Sequence, residues 1–524
     1  MDSNYCRHAQ LIKYSETLPI ELIDLVFDHL EDTGRDETLV AFAYLARSCR
    51  AFTEPALKRL WKVQTTLAPL IRCMPRELWV MSDDNKLTFR FPITDADWTR
   101  FDQYHTKIRH LGIASHTKRS PLETSHVESD VFRALVSYRP ARNFLPNLQT
   151  WVFTDHSSKI LPFIDAFIGP QLNEVTLEFS GTGPSREDEL QVSISLVSLA
   201  RISKNIQSLR IRGINRVYES FHNLVMNLSH LRCLTMDTIE LDTDVLVHLG
   251  GLPSLQILSG IEFPSDTEYV KLFETDLGKF SCLSELGVTV HDYATLPALL
   301  DKIHRPLQHF SAENLDEETD YDLRINLLAH ASMLLHQYHR HSLETLNLDL
   351  DYWTAHAHIQ NNQAVLDALR PLFTLSSLTH LNINSYFIES LEDSWISEAA
   401  SAWPQLRRFS LHDPIQTDRA PIFTLAGLIP MLKQCVHLNF LSLQLELKPL
   451  DTIALEGIRN THITILYLDR NSTVDYPYHV FRTLTSMFPN LRSVETRQNH
   501  ATLQPEKDWK ELHELFRRTL PIEV

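Results

Sequence analysis

The chain has 524 residues, of which 43% are hydrophobic and 22% charged, as in a folded chain holding several domains or one extended repeat array. Asp and Glu outnumber Lys and Arg by 66 to 49, and this balance argues against a nucleic-acid reader, because phosphate contacts need clustered basic residues. No apolar run approaches the ~20 residues of a membrane helix, and the first ten residues lack the apolar core of a secretory signal. We expect an intracellular protein, cytoplasmic, nuclear or both, with neither nucleic acid nor membrane as a partner.

Cysteine and glycine usage excludes several kinds of site. The six cysteines lie far apart with no CxxC pair, as reduced thiols of intracellular proteins do. With only 13 glycines, the chain has no GxGxxG, GxxxxGK[ST] or GxSxG motif. The stretch SGTGPSRED at 180–188 lacks lysine and contains carboxylates that would repel phosphate, which predicts a surface loop. We expect no cofactor.

The stretch SETLPIELIDLVFDHL at 15–30 predicts a helix with Pro19 in its first turn. On a helical wheel its apolar side chains span about 220°, whereas packing on one core needs a stripe of about 100° or somewhat more. These apolar side chains are Ile20, Leu22, Ile23, Leu25, Val26, Phe27 and Leu30, and Glu21, Asp24 and Asp28 occupy the remaining side. The surplus indicates a helix between two layers of its own domain or a helix with an external partner.

The following stretch, ETLVAFAYLARSCRAFTEPALKRLW at 37–61, predicts two more helical segments interrupted by Pro55 and ending in Trp61. A three-helix unit of about 45 residues is marginal alone, because small domains bury too little of their surface. A partner that covers one face would explain both the marginal size and the wide apolar arc.

These three segments resemble the F-box family, whose pattern is LPxE before an apolar helix, then a (V/S)CRxW-like helix and a terminal LW. The corresponding segments here read LPIELIDLVFDHL, SCRAF and LKRLW. Phe52 stands where the family often has Trp, and EDTGRDE at 31–37 makes the first inter-helix loop longer and more acidic. A modest apolar exchange and a longer surface loop leave the helix faces in place.

The resemblance implies a substrate receptor of a cullin-RING (SCF-type) ubiquitin ligase, which docks on a Skp-type adaptor and selects a target protein through a downstream repeat domain. The receptor itself would not be an enzyme. Carried over position by position, the adaptor-facing residues are Leu18, Pro19, Glu21, Leu22, Phe27, Leu30, Cys49, Arg50 and Trp61. The alternative is that the N-terminal helices only cap the end of a repeat array, in a leucine-rich scaffold without a ligase role.

From about residue 108 a short phrase recurs: apolar, two residues, apolar, one residue, apolar. It returns about fourteen times, mostly ~24 to 36 residues apart, which is the scale of stacked repeats. Clear examples are LQTWVF (148–153), IQSLRI (206–211), LETLNL (343–348), LTHLNI (378–383) and LNFLSL (438–443), while LQILSG (255–260) loses its last apolar position. Each phrase predicts a strand, and amphipathic stretches between them predict helices.

The phrase resembles the leucine-rich repeat family (LxxLxLxxN) over roughly three quarters of the chain. Most repeats lack the Asn after the strand, and several exceed the usual ~20–29 residues. We expect an α/β fold in which a three-helix unit precedes an irregular horseshoe-shaped solenoid with long helices; an ordinary α/β protein with recurring leucines is the alternative. The predicted domains are a tail (1–14), the F-box-like unit (15–61), a linker with added strands (62–100) and the solenoid (101–524).

In such a fold, residues between the repeat leucines point to the outer face of the sheet and can bind a target protein. On an assumed register these are Arg210, Arg212, Asn347, Asp349, Asn382, Asn384, Ser410 and His412. A register error of one residue would move all of them to the buried face. The sequence does not identify the target.

Other clusters predict no metal or catalytic site. His336, His339 and His341 lie close in sequence, as do His356 and His358, but no HExxH motif or cysteine completes a ligand set. No Ser, Cys or Thr lies in a recognisable nucleophile elbow, although a triad assembled across distance is not excluded by sequence. A hydrolase or small-molecule receptor with a pocket between the repeats therefore stays as a further alternative.

Overall fold

The computed structural model describes most of the chain. Its described residues are 19–32, 37–83, 85–112, 126–139, 143–155, 158–179, 186–213, 218–264, 280–292, 294–315, 321–350, 362–385, 388, 390–412, 423–451, 455–468, 472–496 and 506–519. The chain divides into two compact units, Met1–Cys233 and Leu234–Val524.

The first unit begins with three consecutive helices, as the sequence predicts, but the predicted break at Pro55 is wrong, because the second and third helices are separated at Cys49. The helices of this unit are α1 (Ile20–Asp32), α2 (Glu37–Ser48), α3 (Arg50–Lys62), α4 (Ala68–Arg72), α5 (Thr99–Tyr104), α6 (Ser129–Tyr138), α7 (Arg186–Ile202) and α8 (Tyr218–Met226). Pro55 lies inside α3, where the helix continues through it.

Five strands of the first unit belong to a parallel sheet, and the other three form a small separate sheet. They are β1 (Val63–Gln64), β2 (Trp79–Met81), β3 (Lys86–Phe89), β4 (His110–Leu111), β5 (His126–Val127), β6 (Thr150–Asp155), β7 (Glu174–Phe179) and β8 (Ser208–Arg212). The parallel order within this unit is β1-β4-β6-β7-β8, and β2, β3 and β5 form the small sheet. Residues 62–100, predicted as a linker with added strands, thus contain β1, α4, β2, β3 and the start of α5. The predicted domain boundaries stay predictions.

The second unit continues with parallel strands at regular spacing. Its strands are β9 (Cys233–Glu240), β10 (Ile257–Phe263), β11 (Glu285–Val290), β12 (His309–Asn314), β13 (Thr345–Asp349), β14 (His380–Asn384), β15 (Arg408–His412), β16 (Phe423–Thr424), β17 (Phe440–Leu443), β18 (Leu445–Leu447), β19 (Ile465–Leu468), β20 (Thr473–Val474) and β21 (Ser493–Thr496). The order is β9-β10-β11-β12-β13-β14-β15-β17-β19-β21, so that the strands of this sheet follow one another in chain order. The short strands β16, β18 and β20 form a second sheet that the sequence analysis did not predict.

Helices connect most of these strands. They are α9 (Thr243–Gly251), α10 (Thr295–Leu300), α11 (Tyr321–His339), α12 (Asn362–Leu369), α13 (Asp393–Ala402), α14 (Ile429–Gln434), α15 (Pro477–Met487) and α16 (Glu506–Thr519). Consecutive helices pack on one another, as α10 does on α11 and α11 on α12. Since crossover connections between neighbouring parallel strands share one hand, the helices lie on one face of the sheet and the other face is left to side chains.

The predicted repeat phrase is confirmed by the burial of its apolar positions. In β13 and β14, Leu346, Leu348, Leu381 and Ile383 are at most 2% exposed, and the leucine that starts each phrase is equally buried, as at Leu343. The first apolar residue lies in the turn into the strand, and the next two point into the core between sheet and helices. A long parallel sheet with repeated helices is therefore established, as the periodicity predicts.

The phrase at 255–260, which lost its last apolar position, is completed by a β-bulge. The pairing of β10 with β11 shifts between Ser259 and Ile261, so Ile261 takes the buried position with 1% exposure. Gly260 occupies the bulge with φ of +82°, and a Cβ atom there would lie 1.8 Å from the carbonyl oxygen of Met236. The bulge explains how a glycine at the repeat position leaves the core intact.

We expect Gly260→Ala to destabilise the second unit by at least about 2 kcal/mol, because it adds left-handed backbone strain to a clash with a main-chain oxygen. Urea unfolding of the full chain measures the effect. Gly251→Ala is the matched control: nothing lies within 4 Å of its added Cβ, and it should be neutral or slightly stabilising. Equal unfolding midpoints for the two variants would contradict the bulge as described.

Candidate functional surfaces

The helical unit α1–α3 has a small aromatic core. Ile23, Phe27, Phe42 and Ala56 are at most 5% exposed. The Phe27 ring stacks on Phe42 at 5.5 Å between centroids and meets Phe52 edge-on at 5.8 Å. Phe52 is half-buried and packs against this core, where an apolar side chain fits.

Three carboxylates of α1, themselves partly in solvent, lie beside basic side chains of α3. The Arg59 side chain is 9% exposed, and its guanidinium lies 3.0 Å from Asp24, contacts Asp28, and approaches Glu31 to 3.9 Å. Lys62 adds a 2.8 Å contact to Glu31. Charge-assisted bonds to three carboxylates on successive turns fix the rotation of α1 about its axis.

That rotation leaves apolar side chains of α1 and α2 in solvent. On α1 they are Leu22, Leu25 and Val26, with exposures of 48%, 66% and 57%. On α2 they are Leu39, Val40 and Tyr44, with exposures of 37%, 54% and 69%. We call these six side chains the exposed apolar set. Isolated exposed apolar residues are ordinary, but three on one turn of a short helix make that helix a candidate interaction surface, and three more lie on the next helix.

The predicted adaptor-facing residues divide into exposed and packed positions. Pro19, Glu21, Leu22 and Arg50 are exposed, Cys49 is half-buried, and Leu18 lies outside the described residues. Phe27 is 2% exposed and belongs to the aromatic core, on which Leu30 also packs. Trp61 is half-buried and stacks on Tyr104 at 4.6 Å. The sequence analysis did not select Leu25, Val26 or the α2 residues, although Leu25 and Val26 lie on its apolar arc.

The second candidate surface is the outer face of β12 to β17. Strand registers align Ser311, Asn347, Asn382, Ser410 and Ser442 as one row across five adjacent strands, which we call the central row. Each of these side chains alternates along its strand with a buried leucine, isoleucine or similar residue. The strand register therefore places the predicted residues of β13, β14 and β15 on the face opposite to the repeat leucines, although Ser410 and His412 are buried there; their role in binding stays a prediction.

Side chains of the central row hydrogen-bond to one another. Asn347 Nδ2 donates to Ser311 Oγ at 3.1 Å, and Asn382 Nδ2 donates to the Oδ1 atom of Asn347. One row further along the strands, Asn384 Nδ2 donates to Asp349 Oδ1 at 2.8 Å. Desolvation by burial raises the pKa of Asp349 above its ordinary value, against the opposing effect of the bond from Asn384.

A serine–histidine contact also lies in this face. Ser410 Oγ is 2.6 Å from His412 Nε2, and Ser442 Oγ is 3.4 Å from the same nitrogen. Such a pair has the elements of a nucleophile and a base. Ser410 and His412 are each 7% exposed and Ser442 is fully buried, so the contact is well placed to join β15 to β17.

The remaining predicted target-binding residues, Arg210 and Arg212, lie on β8 in the first unit. Arg212 is exposed and Arg210 half-buried, and Arg212 Nη1 lies 3.9 Å from Glu178 Oε1. The structure thus groups six of the eight predicted residues on β13, β14 and β15, and sets these two on another strand.

Two of the histidines that lie close together in the sequence, His336 and His339, form hydrogen bonds with other residues. His339 is 1% exposed, and its Nδ1 atom accepts a hydrogen bond from the Leu307 N–H at 3.2 Å. His336 Nδ1 lies 2.7 Å from Thr374 Oγ1, while His356 and His358 fall outside the described residues. Within the described part of the chain no three His, Cys, Asp or Glu side chains form a metal-binding group. Among the helices described, none is long and apolar enough to cross a membrane.

Comparison with known proteins assigns no family. No protein-family model and no curated protein matches the chain. Among solved structures, one similar to this chain is the complex of Rad7 and Elc1 in yeast, at 17% identity, covering 72% of this chain and 87% of that chain with a TM-score of 0.42. Another is an internalin from Listeria monocytogenes, at 14% identity, covering 79% of this chain and 87% of that chain with a TM-score of 0.30.

Proposed function

We propose that the protein is a non-catalytic substrate receptor of an SCF-type ubiquitin ligase. In this proposal the helical unit α1–α3 docks on a Skp-type adaptor, and the outer face of the parallel sheet binds the protein to be ubiquitinated. The observation that carries it is the exposed apolar set, on the segment whose sequence resembles an F-box.

Two features support a docking role for these helices. The core of the helical unit is satisfied without the exposed apolar set, because Ile23, Phe27, Phe42 and Ala56 fill it. In addition, α1 is attached to α3 by the contacts of Arg59 with three carboxylates of α1. The exposure of Leu22, Leu25 and Val26 therefore does not follow from a loosely held helix. A partner surface that buries Leu25 and Val26 gains about 1.5 to 3 kcal/mol per fully buried side chain.

The test is co-expression of the full chain with a Skp-type adaptor, followed by size-exclusion chromatography. We expect the wild type to co-elute with the adaptor and Leu25→Asp/Val26→Asp to elute alone while staying folded, because a charge in a buried interface is costly. Leu190→Asp/Ile194→Asp is the matched control: these side chains are 58% and 49% exposed on α7, and the change should leave the complex intact. Co-elution of the Leu25/Val26 variant would exclude this docking surface.

The alternative function is a leucine-rich binding scaffold whose N-terminal helices only cap the sheet. It is favoured by the packing of α3 on the rest of the first unit, where Trp61 stacks on Tyr104 and Lys107 pairs with Glu54. If the chain alone is monodisperse and no adaptor complex forms, the scaffold is the better description.

A further inference from the structure

A third row of outer-face side chains lies at the start of the same strands and differs in charge from its neighbours. Registers align His309, Thr345, His380, Arg408 and Phe440 across β12, β13, β14, β15 and β17. We call this the first row. None of these five side chains is acidic, although Glu285 of β11 lies beside His309 in the strand register; the row at the other end of the strands contains Glu313 and Asp349. At about 3.3 Å per residue the two rows are about 13 Å apart.

Arg408 is held in position by an aromatic side chain. Its guanidinium carbon lies 3.9 Å from the centroid of the Phe440 ring, and Phe440 in turn stacks on Tyr467 at 5.1 Å. A guanidinium lying over a ring keeps its N–H groups free for bidentate contact with a carboxylate. Arg408 and the adjacent Arg407 are both exposed, and neither forms an ion pair with a described residue.

Two arginine guanidinium groups act on His380 at this corner of the sheet, with Glu344 also nearby. Desolvation by burial lowers the pKa of His380, and the nearby charges of Arg408, His309 and Arg407 lower it further, against the smaller effect of Glu344. Thr379 Oγ1 donates to the carbonyl oxygen of Glu344 at 2.9 Å and lies 2.8 Å from His380 Nδ1. Since that hydroxyl proton is used, Nδ1–H donates to Thr379, and Nε2 is the nitrogen that takes up a proton.

We propose that Arg407 and Arg408, flanked by His309 and His380, form a binding site for a carboxylate-rich segment of the target protein. This inference rests on the proposed role of the sheet face in target binding and names the chemical class of the target. A carboxylate is favoured because a guanidinium held flat over a ring presents a planar fork that pairs with the two oxygens of a planar carboxylate. Asn347 and Asn382 of the central row then offer hydrogen bonds to the main chain of the same segment.

Fluorescence anisotropy with labelled peptides tests the proposal on the full chain. The probe is a peptide of about twelve residues in which Glu alternates with Gly, and Gln replaces Glu in its neutral counterpart. An ionic strength of about 0.15 M screens the long-range repulsion from the chain's net negative charge beyond about 8 Å. We expect the Glu peptide to bind and the Gln peptide not to bind.

Arg407→Gln/Arg408→Gln should raise the Kd for the Glu peptide about fivefold or more, because charge-assisted contacts are lost. The matched control is Arg459→Gln/Arg482→Gln, which removes the same charge from exposed positions elsewhere in the second unit and should change the Kd by less than about twofold. Equal loss in both double variants would reduce the binding to non-specific attraction and overturn the proposal.

Two further arms use the same readout. A peptide with phosphoserine in place of Glu should bind no better than the Glu peptide; Arg-dependent binding of the phosphorylated peptide alone would overturn carboxylate recognition. Lowering the pH below 6.5 should tighten Glu-peptide binding as His380 gains its proton, and His380→Gln should flatten this dependence. None of these readouts involves the adaptor, so failure here is distinguishable from failure of docking at α1 and α2.

Discussion

Phe27→Ala should unfold the helical unit α1–α3 while leaving the second unit folded. The Phe27 ring is 2% exposed and packs on both Phe42 and Phe52, so its removal leaves a cavity at the centre of a unit with few other core residues. Phenylalanine-to-alanine changes in cores cost about 3 to 5 kcal/mol, which is comparable with the whole stability of such a small helical unit. Hydrogen–deuterium exchange of peptides from residues 20–62 measures the loss of protection.

Leu25→Ala on the same helix is the control, because this side chain is 66% exposed and its loss should change protection little. The pair of variants also decides the role of Phe27 that the F-box resemblance implied. If Phe27→Ala keeps full protection but abolishes adaptor binding, Phe27 is a docking residue and its core position is contradicted. If protection is lost, any loss of adaptor binding by this variant follows from unfolding.

Acid should destabilise the second unit through His339. Desolvation by burial lowers the pKa of His339 from 6.5 to about 4, with a smaller contribution from His304. The folded state therefore binds fewer protons than the unfolded state between these two values. The stabilisation is fully present above pH 6.5 and is lost as the pH falls from 6.5 towards 4. A difference of about 2.5 in pKa corresponds to about 3 kcal/mol.

Urea unfolding at pH 7.5 and pH 4.5 measures this loss, and His339→Asn should reduce it. Asparagine supplies an oxygen that can accept the Leu307 N–H bond but cannot take up a proton in this range. His437→Asn, at an exposed position, is the matched control and should keep the wild-type dependence. Identical pH dependence in the wild type and in His339→Asn would show that other groups dominate acid unfolding.

Most of the strand positions were predictable because the apolar residues of the repeat phrase are the ones buried in the core. A leucine that must enter the core recurs at the same place in each strand, as Leu346 and Leu381 do, and burial is the strongest constraint on sequence. The bulge at Gly260 was not predicted because the repeat pattern assumes a fixed spacing and does not allow for an inserted residue. The small sheet of β16, β18 and β20 escaped it because strands of two or three residues carry too short a pattern.

The candidate surfaces were less predictable than the core. The apolar arc of α1 was visible in the sequence, but its orientation depends on Arg59, which lies on another helix and contacts Asp24, Asp28 and Glu31. The i, i+4 and i+7 spacing of those carboxylates, opposite Arg59 and Lys62 on a second helix, is the signal that could have shown it. The first row was missed because His309, His380 and Arg408 become neighbours only through strand register.

The join between α3 and β1 has a mechanical consequence for whatever binds the helical unit. Helix α3 ends at Lys62 and strand β1 begins at Val63, with no intervening loop. The stacking of Trp61 on Tyr104 and the pairing of Lys107 with Glu54 brace the helix against the segment before β4. A protein bound to α1 and α2 would therefore be held in a set direction relative to the strands of the first unit. Because no flexible linker separates α3 from β1, a force on the bound protein would reach the strands of the first unit directly.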